Sequence, residues 1–164
     1  MNYHTIEKCS MLNGDGLRTV LWVAGCSLHC KNCQNPETWD YNSGVLFDKN
    51  AEKELLNSLK ESWCDGITFS GGHPLDPNNY QTVLDLCKKI RKIYGDSKTI
   101  WIYTGYEWGQ VKDLEIMKYI DVLVDGSFVE KLKDEKLHWR GSSNQNVIDV
   151  KDSLKTGFTI LYCE

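Results

Sequence analysis

Three cysteines stand close together in the segment GCSLHCKNCQN, residues 25–35, at positions Cys26, Cys30 and Cys33. The residues between them are mostly polar, whereas a structural cysteine usually belongs to an apolar, buried face. Cysteine thiolates are the common protein ligands of zinc and of iron–sulfur clusters. The residue types and their spacing therefore predict metal chemistry in this loop.

Two metal centres compete for this motif. A structural zinc site takes four ligands, and His29 lies among the cysteines as a candidate for the fourth. Such a site normally draws on two paired segments, and the remaining cysteines are scattered, so we expect them to be structural or incidental: Cys9, Cys64, Cys87 and Cys163. A 4Fe–4S cluster on three cysteines keeps one iron open, where a substrate binds to a Lewis acid. The motif favours this cluster, with zinc as the alternative.

The cysteine loop must be positioned by the surrounding elements, and the sequence predicts that strands and helices alternate along the chain. Short apolar runs predict strands in four segments: 18–24, 66–70, 99–103 and 121–125. Amphipathic periodicity predicts helices in three, the first capped by Asp48: 48–63, 79–94 and 110–119. We expect mostly loop from 127 to 145 and short strands in NVIDV and FTILYC. This alternation predicts an α/β fold with a parallel sheet.

Polar and glycine-rich stretches follow the end of each predicted strand. They are GCSLHCKNC, SGGHP, TGY and DGSF. Loops at the carboxyl ends of parallel strands share one edge of the sheet, where α/β proteins build their sites. We therefore expect these four stretches to converge around the cysteines.

Composition limits the class of protein. The 164 residues predict one domain, 1–164, and the net charge of −4 argues against a broad basic surface for nucleic acid. The apolar runs are too short to cross a membrane, and the N-terminal segment lacks the apolar core of a signal peptide. Seven cysteines, an odd number, fit a disulfide framework poorly. We expect a cytoplasmic protein with reduced thiols.

The three-cysteine motif resembles the hallmark of the radical S-adenosylmethionine superfamily. Further segments, in order along the chain, resemble the glycyl-radical activating enzymes of the anaerobic ribonucleoside-triphosphate reductase: NGDGLR (13–18), ETW (37–39), SGGHPLDPNN (70–79), IWIYTGY (100–106), DVLVDGSF (121–128) and WRGSSNQ (139–145). The resemblance runs to about residue 146, and we assign no role to the tail beyond it.

The resemblance implies a shortened, incomplete TIM-like barrel of alternating parallel strands and helices. It also implies two cofactors, a 4Fe–4S cluster and S-adenosylmethionine. One electron from the cluster cleaves the sulfonium, and the deoxyadenosyl radical takes a hydrogen atom from a glycine of the reductase, which becomes a glycyl radical. A hydrogen atom moves rather than a proton, so we expect no acid–base catalytic residue. The implied partners are the reductase, a low-potential donor such as flavodoxin or ferredoxin, and a second copy of the chain.

Individual residues take roles from this resemblance. Cys26, Cys30 and Cys33 are the implied cluster ligands. The implied contacts to S-adenosylmethionine come from two stretches: Asn32, Cys33 and Gln34, and Gly71, Gly72 and His73. Gln34 replaces an aromatic residue often seen in relatives, which puts an adenine-stacking role in doubt.

His73 stands where the superfamily usually has an acid. A protonated imidazole would repel the cofactor's ammonium group, so we predict a neutral ring that accepts a hydrogen bond. The alternative is a turn residue that faces solvent. We interpret Arg18 as a charge at a strand start. Trp139 and Arg140 are either an exposed recognition element or solvated loop residues.

Three other functions remain open. The chain could activate a different glycyl-radical enzyme, or act on a small molecule as a radical mutase or isomerase. It could also be a non-catalytic interaction module that zinc stabilises at the same cysteines. The segment WRGSSNQ favours the reductase as partner.

Overall fold

The computed structural model describes residues 1–163 and contains an eight-stranded sheet. The strands are β1 (Asn2–Ser10), β2 (Arg18–Val23), β3 (Val45–Leu46), β4 (Gly66–Gly71), β5 (Thr99–Tyr103), β6 (Val122–Asp125), β7 (Asn146–Asp149) and β8 (Ile160–Leu161). Their order in the sheet is β3-β1-β2-β4-β5-β6-β7-β8. The helices are α1 (Lys49–Ser58), α2 (Pro77–Tyr94), α3 (Trp108–Val111) and α4 (Val150–Thr156).

The centre of the sheet is parallel and its flanks are antiparallel. The neighbours β2, β4, β5 and β6 pair in parallel, which confirms the four predicted strands as a contiguous block. Both flanks depart from the expected parallel sheet, because β1 pairs antiparallel with β2, and β7 with β6. The sequence pattern did not indicate β1, because its side chains are mostly half-exposed and form no apolar run. The molecule is therefore a mixed α/β protein.

Two of the three predicted helices form, with partly different bounds: α2 begins at Pro77 instead of residue 79 and ends at Tyr94 as predicted. Asp48 caps α1 and accepts hydrogen bonds from the backbone nitrogens of Asn50 (2.8 Å) and Ala51 (2.9 Å). That helix ends at Ser58, not at residue 63, and Ser58 Oγ donates to Leu55 O at 2.7 Å. The predicted helix at 110–119 is wrong, because the segment splits into α3 and a 3-10 turn, Glu115–Lys118. The seven-residue α4 is too short to show periodicity.

The two faces of the sheet bury different side chains. On one face, Leu21, Val23 and Phe69 join the apolar core formed with α1 and α2. A smaller cluster on the other face contains Trp101 and Val124, with Trp139 packed against it. Side chains alternate between the faces of a strand, so one sheet serves both clusters. In residues 1–163, no helix is long and apolar enough to cross a membrane.

Arg18 is completely buried at the start of β2. Its Nε donates to Thr68 Oγ1 (2.8 Å) and its Nη1 to Thr99 Oγ1 (2.8 Å), and the guanidinium lies 5.1 Å from the Trp101 ring centroid. Burial lowers its pKa to about 10. Arg18 is thus a charge at a strand start, as predicted, and it joins the amino ends of three parallel strands.

Trp139 and Arg140 pack against the molecule. The Trp139 ring lies 5.1 Å from the Trp101 ring in an edge-to-face arrangement, and Arg140 Nη1 donates to Gln145 O at 2.9 Å. Both residues are half-buried, so neither the free recognition element nor the solvated loop describes them.

Candidate iron–sulfur and cofactor site

The loops that follow β2, β4, β5 and β6 meet at one edge of the sheet, as the sequence predicts. The GGH turn after β4 bonds to the base of the cysteine loop: Gly72 N donates to Val23 O (2.8 Å) and His73 N to Gly25 O (2.9 Å). After β5, Thr104 N donates to Val124 O of β6 at 2.9 Å. The parallel pairing of the strands brings these distant segments together.

The cysteine loop turns tightly between its predicted ligands. Cys26 is buried, and Cys30 and Cys33 are half-buried. Cys33 N donates to Cys30 O at 3.1 Å, which closes a turn between the last two thiols. His29 and Asn32 have positive φ values of 45° and 54°, a conformation that non-glycine residues rarely adopt. Such strained backbone persists where surrounding structure demands it, often at functional sites.

Backbone N–H groups point at two of the thiols. Asn35 N donates to Cys33 Sγ at 3.4 Å. Burial raises the pKa of the Cys26 thiol, backbone hydrogen bonds from Leu28 and His29 lower it, and nearby Cys30 and Cys33 raise it. Three neighbouring thiolates repel one another, so a bound multivalent metal centre would stabilise them.

The donor set fits an iron–sulfur cluster. One loop supplies three free thiols, and the backbone donates hydrogen bonds to sulfur, an interaction that tunes such clusters. Within the described chain, 1–163, no three His, Cys, Asp or Glu side chains already stand in a metal-binding arrangement. The ligand set Cys26, Cys30 and Cys33 therefore stays a prediction.

A cavity of about 220 Å³ lies beside the last cysteine. Its walls include four of the six residues that the sequence assigns to S-adenosylmethionine: Cys33, Gln34, Gly71 and Gly72. Trp22, Ser70, Tyr103 and Thr104 add polar and aromatic groups to the same wall. Asn32 lies outside the cavity, where its Nδ2 donates to the Glu130 carboxylate. The cavity thus joins the cysteine loop to the GGH turn.

Both glycines of the GGH turn are sterically required. A methyl group on Gly71, whose φ is +98°, would lie 2.7 Å from Val23 O, and one on Gly72 would lie 2.6 Å from Gly25 O. Because neither residue has a side chain, the GGH turn can approach the cysteine loop closely.

His73 is buried against Thr104 and Tyr106. Only 1% of it is exposed, so the alternative of a turn residue facing solvent is wrong. Its Nε2 lies 2.7 Å from Thr104 Oγ1, and its ring packs edge-on against Tyr106 at 4.4 Å. Burial lowers the pKa of His73 to about 4, against the opposing effect of Asp76. Its Nδ1 finds no hydrogen-bond partner within residues 1–163. These features favour the predicted neutral imidazole.

The sequence pattern did not indicate Asn79 as a site residue, yet its side chain connects separate segments of the site. Its buried Nδ2 lies within hydrogen-bond distance of three carbonyl oxygens, those of Ala24 (2.9 Å), Gly25 (3.2 Å) and His73 (3.1 Å). It therefore links α2 to the cysteine loop and to the GGH turn. Its place at the end of SGGHPLDPNN was the only signal in the sequence.

Two further cavities adjoin the site. One of about 230 Å³ shares Asn13, Gln34, Tyr103 and Gly141 with the first and reaches the exposed side chain of Leu12. A groove of about 1100 Å³ lies beside α3 and the loop after β6, and Leu28 is its contribution from the cysteine loop. The cavities of about 220 Å³ and 230 Å³ together connect the predicted S-adenosylmethionine contacts with the protein surface.

The cysteine loop at the carboxyl edge of this α/β sheet places the protein among the iron–sulfur proteins, and a family model supports this class. The family model described as a 4Fe-4S single cluster domain matches residues 12–148, most of the chain.

The relatives narrow this class. An anaerobic ribonucleoside-triphosphate reductase-activating protein of enterobacteria phage T4 is 42% identical over 154 residues, covering 94% of this chain and 97% of its own. Proteins of the same description from Haemophilus influenzae and Escherichia coli K12 are 40% and 42% identical, covering 88% and 90% of this chain and 96% and 97% of their own. The chain belongs to the family of anaerobic ribonucleoside-triphosphate reductase-activating proteins.

Proposed function

We propose that this chain is a radical S-adenosylmethionine enzyme that activates the anaerobic ribonucleoside-triphosphate reductase. Cys26, Cys30 and Cys33 hold a 4Fe–4S cluster with one open iron. When bound, the cluster and S-adenosylmethionine supply a reductive cleavage whose radical product takes a hydrogen atom from a glycine of the reductase. The observation that carries the proposal is the cavity that Cys33 shares with Gly71 and Gly72.

The chain's own residues orient the cofactor in this proposal. The carbonyls of Gly71 and Gly72 accept hydrogen bonds from its ammonium group, and Gln34 contacts it along the cysteine loop. Asn32 contacts it only once its amide leaves the Glu130 carboxylate. His73 stays neutral, so no positive charge opposes the ammonium group. The low pKa of His73 and the close approach of the GGH turn to the cysteine loop support these roles.

The protein substrate enters from the open side of the site. The two connected cavities run from Cys33 past Gln34 and Tyr103 to the surface at Leu12. An extended segment that carries a glycine is narrow enough for such a path, because glycine has no side chain. Both cavities lie on the face of the sheet opposite α1 and α2, and this geometry supports a shortened, incomplete barrel with a lateral opening.

The proposal includes four properties of the working protein. The whole chain, 1–164, forms one radical S-adenosylmethionine domain, and β7 and β8 support this because they extend the same sheet beyond residue 146. The protein forms homodimers, and a low-potential donor, flavodoxin or ferredoxin, reduces the cluster. It works in the cytoplasm, where the four cysteines outside the cluster stay reduced.

The test starts from protein reconstituted with iron and sulfide without oxygen. With S-adenosylmethionine and a strong reductant, we expect methionine and 5′-deoxyadenosine, and on addition of the reductase a glycine-centred doublet in the electron paramagnetic resonance (EPR) spectrum. Serine at Cys26, Cys30 or Cys33 abolishes the cluster absorption and both products. Cys9→Ser is the matched control, because Cys9 is an exposed thiol outside the loop.

Specific outcomes would contradict the proposal. A colourless protein that binds zinc at the same cysteines would identify an interaction module. Cleavage of S-adenosylmethionine without a doublet on the reductase, but with one on another glycyl-radical protein, would identify a different activase.

A further inference from the structure

Asp76 places a buried carboxylate between the cysteine loop and α2. It is 1% exposed and forms the N-cap of that helix. One of its oxygens, Oδ1, accepts from the backbone nitrogen of Asn78 at 3.1 Å, as a helix cap does. The other oxygen, Oδ2, is free of this capping bond and is directed to the cysteine loop.

Oδ2 of Asp76 accepts hydrogen bonds from two hydroxyl groups that lie in different segments of the chain. Ser27 Oγ donates to it at 2.8 Å, and Ser27 directly follows the predicted ligand Cys26. The Tyr41 hydroxyl also donates at 2.8 Å, from the segment that leads away from the cysteine loop. A single oxygen thus links helix α2 to the start of the cysteine loop and to the segment that follows it.

Tyr41 also covers the residue before the first predicted ligand. Gly25 has a φ of +96°, and its α-carbon faces the Tyr41 ring so closely that an added methyl group would overlap it. The backbone strengthens this contact, because Gly25 N donates to Thr38 O at 2.7 Å and Cys26 N to Trp39 O at 3.0 Å. Segment 38–41 therefore lies directly against the start of the cysteine loop.

Asp76 carries a negative charge at neutral pH. Burial raises its pKa, but hydrogen bonds from Asn78, Tyr41 and Ser27 lower it, and the net shift is downward. No lysine or arginine of residues 1–163 forms an ion pair with it. A fixed anion beside a redox centre disfavours the added electron and lowers the reduction potential.

We propose that Ser27, Tyr41 and Asp76 form a latch that positions the cysteine loop against α2 and keeps the reduction potential of its cluster low. The inference rests on the proposed function, because it requires a cluster on Cys26, Cys30 and Cys33. The three residues are positioning residues, and none of them is a ligand.

The test compares three latch variants with a matched control in anaerobically reconstituted protein. Ser27→Ala and Tyr41→Phe each remove one hydroxyl, and Asp76→Asn removes the charge while keeping the shape. Tyr94→Phe is the control, because the Tyr94 hydroxyl makes a similar bond, 2.7 Å to Leu56 O, between α1 and α2. The readouts are the rate of iron loss to a chelator and the midpoint potential from an EPR-monitored titration.

We expect several-fold faster iron loss in Ser27→Ala and Tyr41→Phe, and the wild-type rate in Tyr94→Phe. In Asp76→Asn we expect the midpoint potential of the cluster to rise. At a constant applied potential the ratio of reduced to oxidised cluster then increases, and a tenfold increase in this ratio corresponds to a shift of ~59 mV for one electron. Wild-type iron loss in both hydroxyl variants overturns the latch, even if Asp76→Asn fails to fold. An unchanged potential in a folded Asp76→Asn overturns the role of its charge.

These failures are separable from a failure of the proposed function. A wild-type protein that assembles no cluster defeats the function and the latch together. A wild-type protein that holds the cluster and cleaves S-adenosylmethionine, with latch variants that match it in both readouts, defeats the latch alone.

Discussion

The burial of His73 predicts a distinct loss of stability in mild acid. The group is 1% exposed, and its pKa is lowered from 6.5 to about 4 in the folded protein. Between these values the unfolded chain binds a proton that the folded chain does not, so stability falls as the pH falls through this window. The cause is the removal of the imidazolium from water, which the nearby Asp76 carboxylate only partly offsets.

The size of this loss follows from the two pKa values. Between pH 7.5 and pH 5.5, His73 should remove ~1.3 kcal/mol of the free energy of unfolding, about a tenfold change in the folding equilibrium. Glutamine in His73→Gln is polar but gains no proton in this pH range. Between pH 7.5 and pH 5.5 the free energy of unfolding of this variant should therefore fall by ~1.3 kcal/mol less than that of the wild type. Anaerobic urea denaturation at both pH values measures the difference.

The control for this experiment is His138→Gln, at an exposed position. It should lose the same free energy as the wild type between the two pH values. If the wild type and His73→Gln lose equal stability, then the imidazole is not held neutral by burial, and the argument for its role beside the cofactor's ammonium group fails with it.

Three further predictions concern single contacts. Asn79→Ala removes the amide donor shared by three buried carbonyls, of which Gly25 O and His73 O keep the backbone N–H groups of His73 and Asp76, and it should lower the unfolding free energy by about 1–3 kcal/mol, measured by urea denaturation; no change would show that water replaces the amide. Gly72→Ala forces a methyl group against Gly25 O, so the turn must move and its carbonyl loses its hydrogen bond to the cofactor's ammonium group. S-adenosylmethionine binding should weaken at least about tenfold in equilibrium dialysis, and wild-type affinity would exclude that contact. Arg18→Lys cannot reproduce the forked bonds to Thr68 and Thr99 and should destabilise the protein by about 1–3 kcal/mol, and an unchanged urea midpoint would contradict this.

Local patterns predicted the centre of the sheet well. The strand at 99–103 was predicted with its observed bounds, because a run of β-branched and aromatic residues between turn signals is a strong local signature. Asp48 was likewise predicted as the cap of α1, because capping depends on neighbours along the chain. Features of this kind need no knowledge of distant segments.

The sequence pattern predicted short strands in NVIDV and FTILYC, where β7 and β8 form, but it did not indicate strand β1, the antiparallel pairing of the flanks or helix α4. Strand β1 is mostly half-exposed, and its stability comes from pairing with β2 rather than from its own apolar content. The same holds for α4, which packs beside β6, β7 and β8. Helix formation in so short a segment depends on tertiary packing, so local propensity does not reveal it.

The sequence by itself determined the chemistry available to this protein: three thiols at a recognisable spacing, two glycines and a histidine after one strand, and the family to which these motifs belong. Only the tertiary structure decided how the groups act on one another. It buried His73 and lowered its pKa, placed Gly71 and Gly72 beside Cys33, and directed Asp76 and Asn79 to the cysteine loop. Desolvation and hydrogen bonding depend on three-dimensional neighbours, and parallel strands bring together residues that lie far apart along the chain.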